Sequence, residues 1–194
     1  MKKIGLTGGI GSGKTTISKV FELLKIPIYN SDNVAKNFIS KNSYVKNQIF
    51  KSFGEEAMTN NKIDNKKLST LIFNDVEKIN IINNIIHPLV KEDFNKWCKK
   101  KKSKYIIKES ALLFSSNSFL ELDEIIFVKS SMETRIKRVM KRDNRTKKQV
   151  KSIIKNQNSD EFLEKSCKYI IYNDEKKFLT PQIIKLHEIF IKLI

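Results

Sequence analysis

The sequence predicts an α/β protein, a three-layer α/β/α arrangement around a parallel sheet, and three observations carry that prediction. Short apolar runs of strand character recur along the chain, at Lys3 to Thr7, Ile26 to Asn30, Tyr105 to Lys108, Glu124 to Val128 and Lys168 to Asn173. Stretches of helical periodicity separate them, which is the order that builds parallel strands with helical crossovers. The first run ends in a glycine-rich loop and passes straight into a helix, the local order of a phosphate-binding β–loop–α unit.

Taken in order, Lys3 to Thr7 reads as a short buried strand and Lys14 to Leu24 as the helix behind the loop. The second strand carries Pro27 near its start, where a missing N–H costs least. Ser31-Asp32 then offers an N-cap for a helix to about Ser40. From residue 42 to 102 the texture changes to helices with polar breaks, at 43–53, 65–73 and 75–101, and this block reads as a helical insert between strands. Trp97 and the following lysine run, 99–102, read as a packed aromatic and a solvated helix end. Further helices are expected at 131–142, 146–157 and 159–165. The last, at 180–193, has Ile183, Ile184, Leu186, Ile189, Phe190 and Leu193 as an apolar face. No repeat and no Pro/Gly/Ser linker marks a second independent domain, so 1–194 is expected to be one domain, with core segments 1–41 and 103–194.

A chain of 194 residues can bury one good core. Its N-terminus breaks at glycines too early for a signal peptide, and its apolar stretches are too short and too interrupted by Asn for a membrane span. Cys98 and Cys167 share no metal-ligand spacing and read as free thiols of a reducing compartment, the cytoplasm. The formal charge of +17 comes from lysines scattered over the whole chain. No aromatic-and-basic motif accompanies them, so no dedicated nucleic-acid partner and no membrane partner is expected, and the chain is expected to be a monomer. The basic field still favours a polyanionic small substrate such as a nucleotide.

Gly8 to Thr15 fits G-x-x-x-x-G-K-[ST]. The chemistry is demanding: backbone N–H groups must turn inward on a phosphate, which requires glycine where a side chain would clash or φ is positive. The helix from Lys14 adds its positive dipole end. Lys14 can reach the β- and γ-phosphates, and the Thr15 hydroxyl can ligate Mg2+. Four of the six glycines fall in this window, which makes a chance turn a poor explanation. A second string, Asn61-Lys62-Ile63-Asp64, matches a guanine-recognition motif, but it follows a polar stretch rather than a buried strand. With no D-x-x-G segment in the chain, a GTPase switch is excluded.

All four arginines, 135, 138, 142 and 145, lie within eleven residues of a chain that otherwise uses lysine. Arginine supplies a rigid fork of donors suited to a transferring phosphoryl group or to stacking on adenine. Positions 135, 138 and 142 are expected to share one helix face. The segment, about 138–160, is a candidate lid over ATP. Asp32 follows the second strand, where ligands sit in open parallel sheets, and could accept a hydroxyl proton or serve only as a cap. Glu109 ends a strand and could orient water near Mg2+, or simply face solvent. His87 lies inside the insert, and a lone histidine there is more often structural. These features point to a P-loop kinase; the acceptor stays open, with a nucleoside monophosphate as one alternative.

The ordered set of motifs resembles the dephospho-coenzyme A kinase family over nearly the whole chain. The segment from Ile4 to Thr16 is similar to that family's phosphate loop, and Ile26 to Asp32 to its Asp-x-Asp motif. His87-Pro88-Leu89-Val90 resembles its His-Pro motif, and Leu112-Leu113-Phe114 its Leu-Leu-Phe segment. Thr134 to Gln157 resembles its lid, and Tyr172-Asn173 the end of its last strand. Asn30 stands where the family has its first Asp, Ser115 where a Glu follows Leu-Leu-Phe, and Ala111 where a Pro precedes it. The resemblance implies a P-loop kinase fold with a helical acceptor-binding insert and a lid. It also implies phosphorylation of the ribose 3′-hydroxyl of dephospho-coenzyme A by ATP with Mg2+. On that basis Gly9, Gly11, Ser12, Gly13, Lys14, Thr15 and Thr16 would bind ATP, and Thr15 the metal. Asp32 would be the base, Arg138 and Arg142 would meet the developing charge, and Asp32, His87 and Leu112 would contact the acceptor.

Overall fold

The computed structural model describes residues 1–72 and 75–192. Along the chain the elements are β1 (Lys2–Thr7), α1 (Lys14–Leu23), β2 (Ile28–Asn30), α2 (Ser31–Lys41) and α3 (Ser43–Phe53), then β3 (Met58–Thr59), β4 (Lys62–Ile63), α4 (Asn65–Ile72) and α5 (Val76–Lys99). They continue with β5 (Tyr105–Glu109), β6 (Glu124–Lys129), α6 (Met132–Asp143), α7 (Lys147–Lys155), α8 (Asp160–Ser166), β7 (Tyr169–Tyr172) and α9 (Leu179–Lys192). The chain forms two compact units, one from Met1–Asn30 with Lys100–Ile194 and one from Ser31–Lys99.

The first unit is built on a five-stranded sheet in the order β2-β5-β1-β6-β7, parallel throughout. Ile4 and Leu6 of β1, Ile126 and Val128 of β6 and Ile171 of β7 pack against Ile17 and Phe21 of α1 and Ile183 and Phe190 of α9. On the other face Phe127 meets Leu163 of α8 and Cys167 just beyond it. Helices on both faces explain why these strands read as near-continuous apolar runs rather than as alternating ones. With β5 on one side and β6 on the other, β1 is central, and its loop leaves the middle of the sheet's C-terminal edge, where such sheets bind ligands.

The second unit is α2, α3, α4 and α5 with a two-stranded hairpin of β3 and β4. Its helix starts are written in the sequence. The Asn42 side chain accepts from the Val45 amide, Asp64 from those of Lys66 and Lys67, and Asp75 from that of Lys78. α5 tolerates Pro88 in its interior, which removes the donor that the Asn84 carbonyl would otherwise meet.

Three details differ from the sequence expectations. The helical unit begins at Ser31 and ends at Lys99 rather than spanning 42–102, because α2 packs on α3 and α5 and so joins them. Ser31 lies inside α2 rather than capping it; the chain passes from β2 into the helix with no intervening residue, and the buried Ser31 Oγ has no hydrogen-bond partner among the described residues. The hairpin was not expected, since two-residue strands leave no alternation to read. Its signal was the Asn60-Asn61 pair, both at positive φ (50° and 57°), as a tight hairpin turn requires. The Asn61-to-Asp64 string thus falls on a turn, a short strand and a helix cap. Residue 73, the expected end of one helix, and Leu193 lie outside the described residues.

Candidate active site

The loop after β1 takes its shape from its glycines. Gly13, at φ 95°, is the N-cap of α1, and the amides of Thr16 and Ile17 both donate to its carbonyl. A methyl group on Gly13 would overlap the Asn173 amide, and one on Gly9 would overlap the Arg135 guanidinium, so both positions are fixed by close approach. α1 has no acidic residue in its first turn to offset the positive potential of its outward amides. Lys14 folds back over the loop, its Nζ donating to the Gly8 carbonyl at 2.8 Å and lying 3.5 Å from that of Gly9. Ser12 is buried, and its Oγ has no hydrogen-bond partner among the described residues.

Glu109 closes the site from below. It ends β5, in register with Asn30 on one side and Leu6 on the other, and is only 4% exposed. Its Oε1 accepts from the Thr15 hydroxyl at 3.0 Å and its Oε2 from the Ser18 hydroxyl at 2.8 Å, two donors one turn apart on α1. A solvent-facing role for Glu109 is therefore ruled out. Thr15 and Glu109 offer oxygen donors, the hard ligands that Mg2+ takes, and the residues present fit that ion. Among the described residues no cluster of three or more His, Cys, Asp or Glu exists, so a Mg2+ bound here would draw most ligands from phosphate and water.

Asn173, at the end of β7, ties the loop to the far side of the sheet. Its Nδ2 donates to the Ser12 carbonyl at 2.8 Å, and its Oδ1 accepts from Arg138 Nη2 at 3.2 Å. Arg138 also reaches Glu175 at 3.1 Å and lies 3.5 Å from the Gly11 carbonyl. The nearby Asp174 carboxyl is held below its ordinary range, first by the backbone N–H of Lys176. Arg142 is exposed and makes a two-pronged contact with Asp143 at 2.6 and 2.8 Å, which raises its pKa and keeps it charged. Positions 135, 138 and 142 lie on one side of the unbroken helix α6, but they do not share one environment. Going along the helix, Arg135 is buried behind the loop, Arg138 is half-buried at its rim, and Arg142, past the loop, is exposed.

The first unit therefore gathers Gly9, Gly11, Ser12, Gly13, Lys14, Thr15, Thr16 and Arg138 around one loop. Leu112 is half-buried three residues beyond Glu109, its amide donating to Ser110 Oγ. Asp32, the second residue of α2, and His87, half-buried on α5 beside Pro88, belong to the second unit. Sequence reasoning left Gln157 and Asn173 without individual roles and gave Arg135 only a share in the arginine cluster. Only the confinement of arginine to this segment and the strand-end position of Asn173 hinted at them.

Comparison with known proteins shows the family. A family model described as dephospho-CoA kinase matches residues 2–178. A dephospho-CoA kinase of Bacteroides fragilis is 37% identical over 185 residues, covering 95% of this chain and 90% of its own. One from Gamma-proteobacterium EBAC31A08 is 37% identical over 193 residues, covering 98% of both. Among solved structures, TT1252 from Thermus thermophilus has a TM-score of 0.85 at 22% identity, covering 100% of this chain and 98% of its own. A dephospho-CoA kinase from Campylobacter jejuni has a TM-score of 0.68 at 24% identity, covering 98% and 97%, and these two likenesses speak for the fold. With the phosphate loop, its supporting carboxylate and the arginine helix in place, the chain belongs to the dephospho-CoA kinase family.

Proposed function

We propose that the chain transfers the γ-phosphoryl group of ATP to the ribose 3′-hydroxyl of dephospho-CoA, with Asp32 as the base. Family membership carries ATP-dependent phosphorylation of dephospho-CoA in CoA biosynthesis. The observation that best supports the residue assignment is the loop of Gly8 to Thr15 with Glu109 fixed under Thr15 at 3.0 Å. On this reading the loop amides and Lys14 hold the β- and γ-phosphates, Lys14 exchanging the neutral carbonyls of Gly8 and Gly9 for charged oxygens. Thr15 would hold Mg2+, with Glu109 orienting that hydroxyl and water beside it; bound Mg2+ neutralises charge on the β- and γ-oxygens.

The 3′-oxygen attacks the γ-phosphorus, forming the new O–P bond as the bond to the β-phosphate oxygen breaks, with ADP as leaving group. Asp32 takes the hydroxyl proton. Arg138, tied between the loop and Asn173, meets charge near the loop, and the exposed Arg142 does so from the lid of about 138–160. His87 of the helical unit and Leu112 of the sheet unit are each assigned to the acceptor. The protein acts as a cytoplasmic monomer; among the described residues no helix is long and apolar enough to cross a membrane. Light scattering after gel filtration tests the monomer.

The deciding experiment is ADP release with ATP–Mg2+, comparing dephospho-CoA with AMP, CMP and adenosine. Acceleration by dephospho-CoA alone is the expected result. Acceleration by AMP or CMP in its place would move the chain to a nucleoside monophosphate acceptor.

A further inference from the structure

Arg135 is 3% exposed and points away from any solvent-facing role on α6. Its three nitrogens fan out to three residues. Nε donates to the Ile10 carbonyl at 3.1 Å, Nη1 to Asp160 at 2.9 Å, and Nη2 lies 3.4 Å from Gln157 Oε1. The same Gln157 oxygen accepts from the Ile10 amide at 2.9 Å. Ile10 is thus held at both its N–H and its C=O, by partners that also hold each other. Gly9 has no room for a side chain because the guanidinium fills that space, and a methyl on Gly11 would come within 2.6 Å of the Arg135 carbonyl oxygen. Gln157 and Asp160 flank the turn between α7 and α8, at the far end of the expected lid.

From this geometry we infer that Arg135 and Gln157 are positioning residues for the phosphate loop. They lock the Gly9-to-Gly11 peptides in the shape that receives the ATP phosphates, and they weld the end of the lid segment to that loop. The inference rests on the reading of this loop as the ATP site. Arg135 needs the planar fork for this, since its three contacts come from three separate nitrogens, whereas the three donors of a lysine ammonium all radiate from one. Gln157 needs its amide oxygen, placed to accept from a main-chain and a side-chain donor at once.

The test uses the full-length protein and three variants, Arg135→Met, Arg135→Lys and Gln157→Met. ATP–Mg2+ affinity is measured by calorimetry, and KM is measured separately for ATP and for dephospho-CoA. The Met variants should each weaken ATP binding roughly tenfold, the loss expected of one charge-assisted or doubly used hydrogen-bond group, while KM for dephospho-CoA stays within about twofold. Arg135→Lys should not rescue. The double Met variant should lose little more than either single one, because both act on Ile10.

Unchanged ATP affinity in Gln157→Met would overturn the inference, and so would full rescue by lysine, which would reduce Arg135 to a point charge. Equal weakening of both substrates with a lowered melting temperature would mark a general packing role and overturn it too. Should Arg135→Met fail to fold, the Gln157→Met arm decides. Wild type and Lys14→Ala run in parallel. If wild type binds ATP–Mg2+ and Lys14→Ala does not, unchanged clamp variants sink only the clamp. If wild type does not bind ATP–Mg2+, the reading of the loop falls and the clamp with it.

Discussion

Asp32 and Glu109 are both carboxylates near the ends of neighbouring strands, yet their surroundings prescribe different work. Glu109 is buried and held by two hydroxyls, a posture for orienting a neighbour. Glu109→Gln keeps the size and removes the charge, so it should raise the Mg2+ concentration for half-maximal activity by roughly tenfold, the usual consequence of losing an outer-shell partner. A Mg2+ titration of ADP release checks this, and an unmoved midpoint would dissociate Glu109 from the metal. Asp32→Asn should instead lower turnover by at least roughly a hundredfold with little change in ATP affinity, the signature of a missing base. Near-normal turnover would end that role. The loop residues were legible because phosphate binding forces glycine into one short window. Glu109 could be seen only as ambiguous, since nothing in the string of letters says that Thr15 and Ser18 face it across 94 and 91 positions.

At the scale of elements, long segments announced themselves and short ones did not. α3 spans Ser43–Phe53 as its spacing predicted, because Asn42 caps it and Gly54 ends it. β3 and β4 escaped notice because two residues carry no periodicity, and there the turn, not the strands, holds the information. That assigns a specific burden to Asn61, at φ 57°. Asn61→Val should destabilise the protein by about 1–3 kcal/mol, the cost of forcing a β-branched residue into the left-handed region. Asn61→Gly should be neutral or slightly stabilising, as the residue such turns favour. Denaturant midpoints of the two variants separate these outcomes. A shared response would mean that the turn is not under conformational load. α6 teaches the complementary lesson: arginine spacing correctly flagged the helix, but periodicity alone could not say that Arg135 would be inside and Arg142 outside.

For the whole molecule, a net charge of +17 tempts one toward a polyanion-binding reading, and two burial-raised acids add a pH dependence on the alkaline side. Burial raises the Cys167 thiol from its ordinary 9.0 to about 11, and burial also raises the Tyr105 phenol, which bonds His187 at 2.7 Å. Both shifts favour the neutral form in the folded state. The thiol's contribution to stability is therefore complete below its unfolded value of 9.0 and is lost as pH climbs toward about 11, while the phenol's is complete below 10.0 and is lost only at higher pH. Urea midpoints should hold steady to pH 9 and fall beyond it, with a shallower fall for Cys167→Ala. A flat profile to pH 11 would contradict the burial of both groups. The overall architecture was legible because strands alternating with helices leave few alternatives. The unit boundary at Ser31 was not, because it depends on which neighbours α2 chooses.

The hydroxyl pair beneath the phosphate loop carries one more implication. Thr15 and Ser18 orient the Glu109 carboxylate without neutralising it, as an ammonium would have done in a chain so rich in lysine. An incoming divalent cation therefore finds an aligned anion and has no ion pair with these two donors to break. What a bound metal must compete with at this carboxylate is a pair of hydroxyl donors, which can stay in place while the metal comes and goes.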